Sequence, residues 1–271
     1  MNAHADRHSC AHQTDTRASR ATHGRKDIRL KNRLKTDGII WDVDGTLWDC
    51  TPAVAEAWDQ VMAGENSRLA GSGRPLLKLH HPAGGGSGEH VTADDLRREF
   101  GRPLDVILND LYPDTPAEER NRLLPLWFDI ENRTLSEKRP RPFEGLEDVL
   151  KKLKKKGIPS FVVSNCQAGY IETFFDVTGL GPYFEDHLCP GDTSLLKADN
   201  TRIMAERHHL KHAFYIGDIQ ADCDAARQAD SALGTGGHIG FIWASYGFGT
   251  VDHPDAVLRQ VTDLPDMTES L

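Results

Sequence analysis

The first sustained apolar run, Gly38-Ile39-Ile40-Trp41-Asp42-Val43, is too short for a helix and stops at the turn-forming pair Asp44-Gly45, so it predicts a buried strand. Thr51-Pro52 then opens a helical pattern through Ala53, Val54, Ala57, Trp58 and Val61, with Pro52 suited to a first helical position. Residues 64 to 90 lose the periodicity, and Ala83 to Gly88 reads as a flexible loop by composition. From Thr92 to about Ser136 the pattern is helical again, broken at Pro103, Pro113 and Pro125. This stretch predicts a small all-helical domain.

The second half alternates strand and helix. Leu146, Val149, Leu150 and Leu153 form one apolar helical face, lysines fill the other, and Gly157 stands where a helix stop is expected. Phe161-Val162-Val163 ends at Ser164-Asn165. A helix over about 168–178 is stopped by Gly179, and another covers about 200–208. Ala213-Phe214-Tyr215-Ile216 ends at Gly217-Asp218, a helix follows over 221–229, and Gly240 to Ala244 is the last strand read. Repeated strand-helix units predict an α/β fold: a doubly wound, Rossmann-like parallel sheet with helices on both faces and the all-helical domain inserted. Ligands of such sheets bind at the carboxyl ends of the strands.

Composition narrows the class. No run of about 18 apolar residues exists, and no apolar signal core follows a basic start, so a soluble cytoplasmic protein is expected. Five cysteines without a CxxC pair indicate free thiols, and no histidine pair has a metal-ligand spacing. Residues 1–36 carry a net charge of +6, which leaves −15 for residues 37–271. The acidic body disfavours nucleic acid as a partner of the core. The basic segment, with Arg17, Arg20, Arg25 and Lys26 among few apolar residues, reads as a disordered extension or a start codon placed too early. A polyanion-binding arm or a targeting peptide are the alternatives, the latter weakened by Asp6, Asp15 and Asp27.

The candidate chemistry lies at the strand ends. In Asp42-Val43-Asp44-Gly45-Thr46, one carboxylate ends a buried strand and the other stands past it in the turn. One can attack phosphorus while the other gives a proton to the leaving oxygen and later takes one from water. A lone DxDG could equally be an Asp-capped turn. A second carboxylate pair, Asp218 and Asp222 in Gly217-Asp218-Ile219-Gln220-Ala221-Asp222, ends another strand. Taken alone it is a helix N-cap with an acidic first turn; with the first pair it makes a hard-oxygen site for Mg²⁺. Asp42, the backbone carbonyl of Asp44, Asp218 and Asp222 are the candidate metal ligands. Ser164 and the Asn165 amide can hold phosphate oxygens, and Lys197 can neutralise the phosphate. Cys166 and Cys223 lie nearby without a partnered base and read as packing residues.

In order and spacing, DVDGT, VVSN, the intervening lysine and GDxxxD resemble the four motifs of the haloacid dehalogenase superfamily, over residues 37–271. The helical insertion resembles that superfamily's helical-cap type, and SNCQAGYIETFF with ASYGFG resembles its phosphoglycolate phosphatase-like group. The resemblance implies a core of residues 37–50 and 142–271, a cap of 51–141, Asp42 as nucleophile and Asp44 as general acid/base. Ser164, Asn165 and Lys197 would bind phosphate, and Asp42, Asp44, Asp218 and Asp222 would surround Mg²⁺. A small phosphate ester, with phosphoglycolate as the group's namesake, is the implied partner; membranes are not, and the motifs carry no information on oligomeric state. The sequence departs from the pattern in GDI for the usual GDT, in the Gly-rich cap loop, and in residues 231–238, which look inserted. A β-phosphoglucomutase-like mutase would keep every motif, and a non-catalytic binding protein on this fold is the third reading.

Overall fold

The computed structural model describes residues 33–73, 76–81, 87–88 and 90–271. Most of the basic segment, residues 1–32, and most of the Gly-rich loop, residues 82–86, lie outside the described residues. The strands are β1 Leu34–Thr36, β2 Gly38–Trp41, β3 Leu79–His80, β4 Ser87–Gly88, β5 Ser160–Val163, β6 Asp186–Leu188, β7 His212–Gly217, β8 His238–Ala244, β9 Ala256–Leu258 and β10 Thr268–Ser270. The helices are α1 Thr51–Leu69, α2 Ala93–Glu99, α3 Leu104–Leu111, α4 Ala117–Lys138, α5 Leu146–Lys155, α6 Tyr170–Thr178, α7 Pro190–Thr193, α8 Lys197–Arg207, α9 Gln220–Leu233 and α10 Leu264–Met267.

Six strands form one parallel sheet in the order β6-β5-β2-β7-β8-β9. Every residue of β2 and β5 is buried, which is why both read as unbroken apolar runs rather than alternating ones. Ile39, Trp41, Val162 and Ile216 pack on one face with α5 and α6, through Leu146, Val149, Leu153 and Phe174. Ile40, Phe161, Val163 and Tyr215 pack on the other with α8 and α9, through Met204, Cys223 and Ala226. The chain leaves β2 for β5 on one side and returns to β7 on the other, so the strand order reverses at β2. That reversal opens a crevice at the carboxyl ends of β5, β2 and β7.

Two strands flank this expected core. β6 and β9 are three residues each, partly exposed and at the sheet edges, too short and too polar to stand out in the sequence. The core also begins earlier than position 37. Leu34–Thr36 pairs in parallel with Thr268–Ser270, and buried Thr36 donates its hydroxyl to the carbonyls of Gly38 and His212. The expected tail boundary at residue 36 is therefore corrected: residues 34–36 are built into the fold. Residues 231–238, read as an insertion, finish α9 and lead through a single 3₁₀ turn into β8.

The segment 51–141 holds α1 to α4, plus the small antiparallel pair β3–β4 that the loop composition concealed. Its centre is aromatic. Trp58 lies 6.4 Å from Tyr112 and 5.9 Å from Trp127, ring centre to ring centre. Helix α1 starts where the sequence places it, because the Asp49 carboxylate accepts the N–H and hydroxyl of Thr51 while Pro52 occupies the first turn. The outgoing and returning chains run side by side: Trp48 bridges Pro142, and the Phe143 N–H donates to the Leu47 carbonyl at 3.0 Å.

Candidate active site

Asp42 is the first residue after β2, and its N–H donates to the Ile216 carbonyl, which pins it to β7. Its carboxylate is 1% exposed. Oδ1 accepts the Lys197 ammonium at 2.7 Å, and Oδ2 is buried with no hydrogen-bond partner among the described residues. Burial pushes its pKa up to about 7 against the pull of Lys197. The turn that follows needs glycine at Gly45 for two reasons. Its φ is +77°, and an added Cβ would lie 2.1 Å from Asp218 Oδ2.

Asp44 stands two residues on, in a different environment. Its Oδ1 accepts three donors: Tyr170 O–H at 2.7 Å, Trp48 Nε1 at 3.0 Å and Cys50 Sγ at 3.2 Å. Burial raises both the Tyr170 hydroxyl and the Cys50 thiol well above their usual pKa values, so both stay protonated and able to donate. Burial also raises Asp44, to about 6, and these donors hold it from rising further. Sequence reasoning misses all three. A tyrosine, a tryptophan and a cysteine in apolar surroundings read as packing residues, and Tyr170 reaches Asp44 across 126 positions of chain.

Lys197, at the start of α8, is 1% exposed and bridges two carboxylates, Asp42 Oδ1 and Asp222 Oδ1, the latter at 2.5 Å. Burial opposes its charge, but Asp222 and Asp42 outweigh it and hold the ammonium well above its ordinary pKa. Asp222 is fully engaged. Its Oδ2 accepts the N–H groups of Asp218 and Ile219, so it fixes the turn after β7 as well as Lys197. Asp218 Oδ2 accepts the Phe248 N–H at 2.6 Å, and burial, then Asp222 and Asp42, drive its pKa well up. The loop 245–249 thus belongs to the site. Tyr246 O–H donates to the Thr46 carbonyl, and a Cβ at Gly247 would lie 2.4 Å from the Gly45 carbonyl oxygen.

Ser164 is buried at the end of β5 and lines a cavity beside Asp44. The Asn165 side chain has other work. Its Oδ1 accepts the Lys197 N–H and its Nδ2 donates to the Gly101 carbonyl, so it joins the start of α8 to the helical segment, and only its backbone N–H remains for the expected phosphate contact. Ile219, the departure in GDI, also faces that segment. A Cβ on Gly101 would lie 2.5 Å from Ile219 Cδ1, which gives the apolar residue a packing role.

Asp42, Asp218 and Asp222 each place an oxygen within 4.8 Å of the others. Three buried carboxylates, two of them paired to one ammonium, with Asp42 Oδ2 unpartnered, suit a hard divalent cation that prefers oxygen. Asp42 and Asp218 have oxygens open to it, whereas both oxygens of Asp222 are committed. The Asp44 side chain points to its three donors, which leaves its backbone carbonyl as the expected contribution.

The haloacid dehalogenase-like hydrolase family matches this chain over residues 36–230. The phosphoglycolate phosphatase of Shigella boydii serotype 4 (strain Sb227) is 25% identical over 245 residues, which cover 84% of this chain and 90% of that one. The phosphoglycolate phosphatase of Salmonella typhi is 24% identical over 242 residues, covering 84% and 90%. Among solved structures, a haloacid dehalogenase-like family hydrolase from Streptococcus pneumoniae superposes with a TM-score of 0.60 at 17% identity, over 85% of this chain and 97% of its own. No helix among the described residues is long and apolar enough to cross a membrane.

Proposed function

The chain belongs to the haloacid dehalogenase-like hydrolase family, and from that premise we propose that it hydrolyses a small phosphate monoester with Mg²⁺ through a phosphorylated Asp42. The enzyme class is that of a phosphoric monoester hydrolase. The observation that carries the reading is the division of labour between two carboxylates two residues apart. Asp42 is tied to an ammonium, whereas Asp44 is held by neutral donors at the wall of a cavity. Environments that set paired carboxylates apart assign one as nucleophile and the other as acid and base.

In the first step an Asp42 carboxylate oxygen bonds to phosphorus, the bond to the ester oxygen breaks, and Asp44 delivers its proton to that oxygen. In the second step Asp44 takes a proton from water, the water oxygen bonds to phosphorus, and the Asp42–phosphorus bond breaks. Lys197 neutralises the phosphoryl oxygens, with Ser164 and the Asn165 N–H as further donors. Asp42, Asp218 and the Asp44 carbonyl would hold Mg²⁺, with Asp222 bracing the turn, and the bound ion would supply charge neutralisation for the phosphoryl group. Residues 51–141 act as a cap over the crevice, hinged where Asp49-Cys50 and Arg141-Pro142 cross, and latched by Arg97 on Asp49 Oδ2 at 2.8 Å and by Asn165 on Gly101. Phosphoglycolate enters as a test substrate because the relatives above carry its name.

The test is phosphate release from p-nitrophenyl phosphate with and without Mg²⁺, together with acid-quench mass spectrometry of the protein. Mg²⁺-dependent release and phosphate on Asp42 are expected. Phosphate on another residue, or release unaffected by chelation, overturns the reading.

A further inference from the structure

Glu131 of α4 is a carboxylate the proposed chemistry does not use. It lines the same cavity as Asp44 and Ser164 and is 6% exposed. Oε2 accepts Trp58 Nε1 and Oε1 accepts Gln167 Nε2, both at 2.8 Å. No Lys, Arg or His forms an ion pair with it among the described residues. A carboxylate has about four acceptor sites, so two neutral N–H groups leave it half satisfied, and a buried charge without a cation is costly. The other charged lining group beside Asp44 is Arg102, and it is already committed: it pairs with the buried Glu99 and with Asp110, the latter at 2.8 Å. Where the leaving group must sit, the wall therefore offers an unpaired anion and, among the described residues, no free cation. Trp58, Phe100 and Tyr170 line the same space, and aromatic faces attract cations.

Resting on the phosphatase reading above, we propose that this cavity selects a phosphate ester whose leaving alcohol carries an ammonium group, received by Glu131, and rejects one carrying a carboxylate. An ammonium there supplies the counter-charge that Glu131 lacks. A carboxylate meets Glu131 and must displace Glu99 or Asp110 from Arg102. The competing role for Glu131 is purely structural, a clip joining Trp58 to Gln167 when the cap is closed.

Four esters of two-carbon alcohols separate these roles in the Mg²⁺-loaded full chain: 2-aminoethyl phosphate, 2-hydroxyethyl phosphate, ethyl phosphate and 2-phosphoglycolate. The ammonium ester should exceed ethyl phosphate in kcat/KM by about tenfold or more, and phosphoglycolate should fall below ethyl phosphate by a similar factor. Glu131→Gln keeps the size and removes the charge, and should bring the ammonium ester to within about threefold of ethyl phosphate. A structural clip would slow all four alike. Phosphoglycolate as the best substrate, a hydroxyl ester equal to the ammonium ester, or an unchanged ratio in Glu131→Gln overturns the inference. The wild-type ranking decides it even if the variant fails to fold. If neither these esters nor p-nitrophenyl phosphate release phosphate, the phosphatase reading itself fails and takes this inference with it.

Discussion

Replacing Asp44 by Asn separates chemistry from architecture, because the structure dictates how the new side chain sits. Three donors converge on Oδ1 of Asp44. The substituted amide satisfies them by turning its oxygen to the same place, which leaves its NH₂ on the cavity side. The fold and Asp42 are then undisturbed, and only the transferable proton is lost. General acid–base catalysis contributes about 10²–10⁴ in rate, roughly 3–5 kcal/mol of barrier. The full loss applies to an alkyl phosphate, whose alkoxide leaves poorly without a proton. p-Nitrophenolate leaves unaided, so the first step should survive on the aryl ester while the second, which needs Asp44 as base, should stall. Rapid-quench assays should show a burst of p-nitrophenol close to one per enzyme, then slow turnover with phosphate held on Asp42. Asp42→Asn, in contrast, should lose both esters alike, by about 10³ or more. Equal losses on the two esters for Asp44→Asn, or the absence of a burst, would refute this assignment.

Three further outcomes follow from the same geometry. Tyr170→Phe removes a donor that favours ionised Asp44, so the pH–rate limb belonging to Asp44 should move up and kcat should drop by about tenfold, a loss of about 1.4 kcal/mol; an unmoved profile speaks against the contact. Burial holds the folded pKa of Asp42 near 7 and of Asp44 near 6, above the ordinary carboxylate value of 3.8, so the metal-free fold binds extra protons in that window. Stability should fall as pH rises from about 4 to 7, and Mg²⁺ should raise Tm more at pH 8 than at pH 6; an equal rise at both argues against these carboxylates as its site. Deleting residues 1–32 should leave activity and denaturation midpoint unchanged, whereas deleting 1–36 also removes β1 and the Thr36 hydrogen bonds and should cost about 2 kcal/mol or more by urea titration.

The proposed machinery was legible because each part sits where sequence is locally expressive. Asp42, Ser164 and Asp218 end apolar runs, and Lys197 and Asp222 open helices, so burial pattern and reactive side chain coincide within a few positions. What tunes those groups was not legible. The donors on Asp44 come from the turn, the outgoing linker and α6, and only the folded chain brings Tyr170 to the end of β2. Glu131 carries no local signal, because its environment depends on Trp58 and Gln167 from distant segments. The boundary at residue 36 was misplaced for a related reason: three residues of mixed polarity carry no strand signal until Thr268–Ser270 supplies the partner.

That last pairing sets an order on biosynthesis. Leu34 is among the first residues of the fold to leave the ribosome, and its partner Thr268 is among the last. At roughly 5–20 residues per second, β1 waits on the order of ten seconds or more for its neighbour. The interval exposes a strand edge next to Gly38–Trp41, a wholly buried segment of the finished core. The clasp between β1 and β10 is therefore a closing event that can form only once nearly all of the fold has been made, and until then the backbone hydrogen-bonding edge of β1 stays unpaired.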